Sequence, residues 1–137
     1  ADIKGYWPDG KLSIIKDDTS GKYICFWGEK YSYRTEADTP YPEDHISQVT
    51  EANRVFGQGI SDIAGFNDGG SWFIGVHKLA DGRLAGFFHA ESHWPGDGIA
   101  YKSVGVAYSA DNGKTWTEFT HYFPGLKTNY SYMEWSR

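Results

Sequence analysis

The sequence predicts an all-β fold built from short strands that pair with their sequence neighbours in antiparallel order. Aromatic residues make up 18% of the chain, with six Trp and ten Tyr, and such residues favour strands. Glycine is abundant as well and marks turns and bulges. Several strand-like runs are separated only by short turns rich in Asp, Asn and Gly, which favour β-hairpins. With 137 residues, the chain is the size of one domain.

The first group of strands is predicted in residues 11–35. It reads KLSIIK, a polar turn DDTSG, then KYICFWG and KYSYRT, which together form a blade-like pattern. Residues 36–70 follow as one long segment with two prolines and many turn residues, in which residues 47–53 form a candidate short helix. Long segments of this kind commonly carry function.

The second group, in residues 71–119, is more regular. It reads SWFIGVHKL, RLAGFFHAESHW, YKSVGVAYS and KTWTEFT, joined by ADG, by a loop with Gly and Pro, and by ADNG. This pattern predicts a four-stranded antiparallel blade, and residues 120–137 are expected to start a further one. A blade takes about 40 to 50 residues, and closed propellers have about four to eight blades. The chain is therefore expected to form an incomplete β-propeller, completed by copies of itself or by the remainder of a longer chain, with a small β-sandwich as the alternative.

Charge and hydropathy argue against two classes of partner. The net charge is −5 and the thirteen Lys and Arg are scattered, so no continuous basic surface for nucleic acid is expected. No apolar run approaches the roughly 20 residues that cross a bilayer. Cys25 is the single cysteine and lies in an apolar run, which predicts a buried thiol. The first residues, ADIKGYW, fit a mature N-terminus after signal cleavage as well as a trimmed chain, and a secreted or extracellular location is the expectation.

The clearest motif is the turn in VGVAYSADNGKTWT, residues 104–117. Its side chains suit a β-hairpin, because Ser and Asp bond turn amides, Gly accepts an unusual backbone conformation and Trp packs under the hairpin. The motif residues are Ser109, Asp111, Gly113, Thr115 and Trp116. The motif resembles the Asp box of sialidases and related bacterial neuraminidase repeat proteins. That resemblance implies β-propeller blades and a relation to glycoside hydrolases, with the box itself as scaffold.

The resemblance does not extend to all features of sialidases. Those enzymes carry an arginine triad for the substrate carboxylate, an Arg-Ile-Pro motif near the start and usually several boxes. This chain has one clear box, no Arg-Ile-Pro motif and few arginines, namely Arg34, Arg54, Arg83 and Arg137. The family's boxes also occur in lectin-like, receptor and ribonuclease folds. Sialic acid is therefore not the expected substrate.

In a meander, residues 36–70 and 91–101 are expected at the end of the sheets opposite the box. Glycoside hydrolysis uses two carboxyl groups about 5 to 10 Å apart. The predicted catalytic residues are Glu91 with Asp44 or Asp68. Aromatic side chains stack on sugar rings, and polar side chains bond sugar hydroxyls. The predicted sugar contacts are Arg34, His45, Trp72, His89, His93, Trp94 and Tyr101.

The run FFHAESHW has three interpretations. In a strand, His89, Glu91 and His93 project from one face. Glu91 is then an acid or base tuned by histidines, or two of the three bind a metal, or the run is a polar strand end that bonds backbone and solvent. Asp44 and Asp68 have structural alternatives as a helix cap and as part of a tight turn.

The sequence thus predicts a carbohydrate-active protein that needs no cofactor, with a bound metal such as calcium not indicated. A glycoside hydrolase, or part of one, is the first hypothesis. A non-catalytic, lectin-like glycan-binding module is the alternative, and a set of blades for structure or protein interaction is the third. Carbohydrate is the expected ligand, and further copies of the chain or the rest of a longer propeller are the expected partners.

Overall fold

The computed structural model describes residues 8–9, 11–93 and 100–128, and this part of the chain is all-β, as predicted. The strands are β1 (Ser13–Lys16), β2 (Tyr23–Glu29), β3 (Tyr31–Ala37), β4 (Arg54–Phe56), β5 (Gly70–Lys78), β6 (Leu84–His93), β7 (Ala100–Ser109) and β8 (Thr117–Thr128). Single turns of 3-10 helix lie at Pro42–Asp44, Ile46–Gln48 and Glu51–Asn53. No helix in the described ranges is long and apolar enough to cross a membrane.

The strands form two sheets, each built from four consecutive strands. Sheet 1 has the order β1-β2-β3-β4 and sheet 2 the order β5-β6-β7-β8, and every pair is antiparallel. The predicted meander in the second half is confirmed, since short turns join β5 to β6 and β7 to β8. Strand β8 continues to Thr128, so the boundary expected at residue 119 falls inside a strand. The described residues close no ring.

The long segment 36–70 is not a single loop, because β4 interrupts it. Phe56 pairs with Ser32 of β3 and is fully buried in the core. The helix expected over residues 47–53 is replaced by two single 3-10 turns. Residues 38–53 therefore cover sheet 1 near the end of β3, and only residues 57–69 lie beside the start of β5.

Contacts between the sheets show which ends lie together. Lys78 at the end of β5 pairs with Asp18 in the β1–β2 turn, with an Nζ–Oδ2 distance of 3.5 Å. The Arg34 Nε–H donates over 2.8 Å to the carbonyl of Asn112, which lies in the turn that resembles an Asp box, residues 109–116; we call it the Asp-box turn. Residues 38–53 therefore lie at the same end of the sheets as the Asp-box turn. The expectation that all of segment 36–70 lies at the opposite end is wrong for residues 38–53.

The main core lies between the two sheets. It consists of Ile24, Phe26, Phe56, Phe66, Phe73, Leu84, Phe88, Ala90, Ala107 and Trp116. The rings meet edge to face, with 4.6 Å between the centroids of Phe56 and Phe73 and 5.4 Å between those of Phe26 and Phe73. Burying one such side chain stabilises a fold by about 1.5–3 kcal/mol. A smaller cluster of Cys25, Trp27 and Tyr33 lies on the outer face of sheet 1, which confirms the buried thiol.

The free edge of β5 bonds to sheet 1 through serine hydroxyls. Ser32 Oγ accepts from Phe73 N over 3.0 Å and donates to Ser71 O over 3.2 Å. Ser13 Oγ accepts from Val76 N over 2.9 Å. The approach is close enough that a Cβ at Gly28 would lie 2.3 Å from Phe73 O. Sheet 1 thus satisfies backbone groups that an edge strand leaves unpaired.

Candidate functional site

The Asp-box turn is a network of bonds directed mainly at its own backbone. Ser109 Oγ accepts from Gly113 N over 2.8 Å and donates to Asp111 Oδ1 over 2.8 Å. The Asp111 carboxylate in turn accepts from Thr115 N over 2.9 Å and from Thr115 Oγ1 over 2.5 Å. The Trp116 Nε1–H donates to the carbonyl of Gly113 over 2.9 Å, and the ring is buried in the core. Each motif residue therefore has a place in the turn.

Electrostatics and backbone conformation fit the same arrangement. Partial burial alone raises the pKa of the Asp111 carboxyl, but the bonds from Thr115 and Ser109 outweigh it, and the pKa lies below its usual value. Gly113 has a φ of 84°, and a Cβ there would lie 2.2 Å from Cε1 of Phe26. Only glycine fits this position.

A second polar cluster lies on the outer face of sheet 2, near the end opposite the box. We call it the Glu91 cluster, and it consists of Trp72, His89, Glu91 and Lys102. Glu91 Oε1 lies 3.1 Å from Nε2 of His89 and 3.5 Å from Nζ of Lys102. The ring of Trp72 stacks on that of His89, with 4.0 Å between centroids and 12° between planes. The cluster thus combines a carboxylate, an imidazole, an ammonium group and a flat aromatic ring.

Strand register brings the Glu91 cluster together. Trp72 of β5 lies opposite His89 of β6, and Lys102 of β7 lies opposite Glu91 of β6. Side chains that lie opposite each other in an antiparallel pair project from the same face. The prediction that His89 and Glu91 share a face is confirmed by their 3.1 Å contact. Lys102 was not predicted from the sequence, and its only signal is a lone charge in the run YKSVGVAY.

The Glu91 cluster is mostly enclosed but reaches solvent. The side chains of Glu91 and His89 are 14% and 15% exposed, and that of Lys102 is 9% exposed. Trp72 is half-buried. Charged groups this enclosed interact more strongly with a ligand than fully exposed groups do. The arrangement can stack a sugar ring and bond its hydroxyls from both an acceptor and donors.

Asp68 is the other predicted carboxylate that lies on this side of the molecule. Gly69, the next residue, donates its N–H to the carbonyl of Glu91 over 2.7 Å. The Asp68 side chain accepts from Gly65 N over 3.0 Å, so it also shapes its turn. The preceding backbone holds Gln58 and Ser61 at φ values of 50° and 59°, a conformation that is uncommon for residues with a side chain.

Asp44 and His45 lie on the opposite side of the domain from the Glu91 cluster. They belong to residues 38–53, which cover the outer face of sheet 1, whereas Glu91 lies on the outer face of sheet 2, with the core between them. Asp44 is exposed and accepts a hydrogen bond from Thr39 Oγ1. The structure therefore does not bring Asp44 together with Glu91.

His45 is fully buried and its two ring nitrogens are bonded within the protein. Thr35 Oγ1 accepts from Trp27 Nε1 over 2.8 Å and lies 2.8 Å from Nδ1 of His45. Nε2 lies 2.7 Å from the carbonyl of Thr39, which assigns the proton to Nε2 because a carbonyl only accepts. This position gives His45 a structural contact with β3 and no exposed surface for a sugar.

The remaining predicted sugar contacts are divided between several places. Arg34 bonds the Asp-box turn, away from Glu91. Tyr101 lies opposite Ser92 in the sheet and so projects from the face opposite to that of Glu91. His93 ends β6, but its side chain, like Trp94 and residues 95–99, lies outside the described residues. In the described ranges, no group of three or more acidic, His or Cys side chains could hold a metal ion.

Comparison of the chain with protein-family models, with curated proteins and with solved structures finds no significant match in any of the three. The functional assignment therefore depends on the residues and geometry of the chain itself.

Proposed function

We propose that this chain is a carbohydrate-active protein and that the Glu91 cluster binds the sugar. The observation that carries the proposal is the stacked pair of Trp72 and His89 beside the Glu91 carboxylate. A sugar ring presents an apolar face to an aromatic ring while its hydroxyls bond to charged groups at the edge of that ring. The cluster offers both kinds of contact at two neighbouring positions on one face of sheet 2.

Glycan binding without turnover is the function that this geometry supports best. Of the described side chains, Glu91 supplies the single carboxylate of the cluster, whereas glycoside hydrolysis uses two carboxyl groups about 5 to 10 Å apart. Hydrolysis is the second candidate, and Asp68 favours it because its neighbour Gly69 bonds the Glu91 backbone. Glu91 would then work with Asp68 rather than with Asp44.

The test is a glycan-binding panel followed by a hydrolysis assay on every sugar that binds. Glu91→Gln and Trp72→Ala are expected to weaken binding about tenfold or more, which corresponds to about 1.4 kcal/mol. Glu43→Gln serves as a matched control, because Glu43 is exposed and lies on the far side of the domain. Equal binding by all three variants and wild type would remove the Glu91 cluster from the assignment.

The hydrolysis assay separates the two candidates. If a bound sugar is cleaved and Asp68→Asn abolishes cleavage while binding persists, the protein is a glycoside hydrolase with a Glu91 and Asp68 pair. Binding with no turnover by wild type assigns the lectin-like function. If the folded wild-type chain neither binds nor cleaves any sugar of the panel, both candidate functions are contradicted.

We also propose that the two sheets are successive blades of a β-propeller that this chain leaves incomplete. Each sheet consists of four consecutive strands, as propeller blades do, whereas β-sandwiches commonly exchange strands between sheets in Greek-key order. The Asp-box turn supports the same proposal. Light scattering is expected to give a multiple of the 15.4 kDa chain mass. A stable, folded monomer would favour the β-sandwich instead.

A further inference from the structure

A small polar pocket lies at the box end of the molecule, between sheet 1 and the Asp-box turn. Its volume is about 190 Å³. The residues that line it are Arg34, Ala52, Asn53, Arg54, Val55 and Lys114, of which three are cationic and none is acidic. The pocket is thus locally basic in a protein whose net charge is −5. It is separate from the Glu91 cluster, which lies on the outer face of sheet 2.

Arg34 is held rigidly at this pocket. Its Nε–H donates to the carbonyl of Asn112 over 2.8 Å, and its Nη2 bonds Glu36 over 3.2 Å. The side chain is only 11% exposed. These two bonds use Nε and Nη2 of the guanidinium, while Nη1 has no partner among the described residues. A guanidinium fixed in this way is pre-organised for a planar or tetrahedral oxyanion.

Lys114 supplies a second positive charge from the Asp-box turn. Its side chain is exposed, and its ammonium has no hydrogen bond or ion pair with any residue that the structure describes. Arg54 contributes charge from the third side, although its guanidinium already bonds Glu51 and the carbonyl of Gln58. The donors without a partner in the described part of the chain are therefore Nη1 of Arg34, Nη2 of Arg54 and the ammonium of Lys114.

We propose that this pocket binds a small oxyanion, a carboxylate or a sulfate group, between Arg34 and Lys114. The volume limits the occupant, because pockets for drug-sized ligands span about 300–1,000 Å³. An occupant of the 190 Å³ pocket is thus a free small anion or the anionic group of a larger molecule. Binding there joins sheet 1 to the Asp-box turn through the ligand, and it is independent of sugar binding at Glu91.

The test is an NMR titration of the ¹⁵N-labelled chain with sodium sulfate and with sodium acetate, at ionic strength held constant with sodium chloride. Saturable shifts are expected at the amides of Asn112, Gly113 and Lys114. Lys114→Gln is expected to lower the affinity about tenfold, since the Lys114 ammonium is the one cation of the pocket that makes no ion pair with a described carboxylate. Lys30→Gln is the matched control, because Lys30 is exposed and lies at the opposite end of the sheets. Amides at Trp72 and Glu91 report separately on the other site.

Two further measurements test a folded Arg34 variant and identify the chemical source of the anion. Arg34→Lys keeps the charge and loses the fork, so it is expected to weaken binding while the spectrum stays folded. If glucuronate binds more tightly than acetate and glucose causes no shift, the occupant of the pocket is a carboxylate carried on a sugar. If sulfate binds more tightly than either carboxylate, the occupant is a free sulfate or a sulfate ester. Absence of saturable shifts at the turn, or equal affinity in wild type and Lys114→Gln, overturns the proposal.

Discussion

The Asp-box turn and the Glu91 cluster are both polar networks on sheet 2, at opposite ends of β7, but their bonds have different partners. In the turn, the side chains of Ser109 and Asp111 bond mainly backbone amides within residues 109–115. In the Glu91 cluster, side chains from three strands bond or stack on each other. A local network directed at the backbone fixes the conformation of the chain, which explains why the most recognisable motif is not the best candidate site.

The comparison predicts opposite effects of mutation in the two regions. Changes in the turn should lower the free energy of unfolding and leave sugar binding of the folded protein unchanged. Changes in the Glu91 cluster should weaken sugar binding and alter stability little. Side-chain contacts between half-buried groups can be exchanged for contacts with a ligand, whereas backbone bonds in a turn cannot be given up without opening the turn.

The largest effect is expected for Gly113→Ala. The new Cβ would meet the Phe26 ring and would sit at a φ of 84°, so overpacking adds to backbone strain. We expect a loss of about 3 kcal/mol in the free energy of unfolding, measured by urea denaturation. Gly82→Ala is the matched control, because its φ is 89° but nothing lies within 4 Å of the added Cβ. The control should lose only about 1 kcal/mol. Equal losses would show that packing at the turn contributes nothing.

An intermediate effect is expected for Asp111→Asn, and it should depend on pH. The folded pKa of Asp111 lies below its ordinary value of 3.8, so its stabilising contribution is complete above that value and is lost as the pH falls through the folded pKa. Loss of a charged acceptor costs about 2 kcal/mol near neutral pH. Thermal unfolding of both proteins between about pH 7 and pH 2 should show the difference in Tm shrinking below about pH 4. A difference that stays constant across this range would contradict the assigned role of the carboxylate.

The smallest effect is expected for the pair of Glu91 and Lys102. Glu91→Gln leaves the buried ammonium without its carboxylate, and Lys102→Met removes the ammonium while the carboxylate keeps its contact with His89. Because both side chains still reach solvent, we expect each single variant to lose about 1 kcal/mol and the double variant to regain most of it, as measured by a double-mutant cycle in urea. A double variant as stable as wild type but without sugar binding would show that the pair serves binding. Additive losses would instead show that Glu91 and Lys102 do not stabilise each other.

The sequence predicted the features that depend on neighbours along the chain. The strands β5 to β8 and their hairpin turns follow from alternating apolar residues between Gly-containing turns. The shared face of His89 and Glu91 follows from the period of two within one strand. The place of Trp116 under the hairpin follows from the Asp-box pattern.

Features that depend on register between distant residues could not be predicted. Lys102 joins the Glu91 cluster only because β6 and β7 pair in one register, and the loop between them is too long to fix that register from sequence. Strand β4 has three residues, too few to show a period. The burial of His45, which lies between two 3-10 turns, depends on Thr35 of β3 and Trp27 of β2.

The serine hydroxyls on sheet 1 also limit which sheet edges can pair with a strand of another chain. Ser13 and Ser32 occupy backbone groups of β5 that a strand from another chain would need. A neighbouring molecule can therefore not extend sheet 2 along that edge without displacing sheet 1. An assembly that completes a ring must use other surfaces, and cross-linking at β5 should be absent from any oligomer that forms.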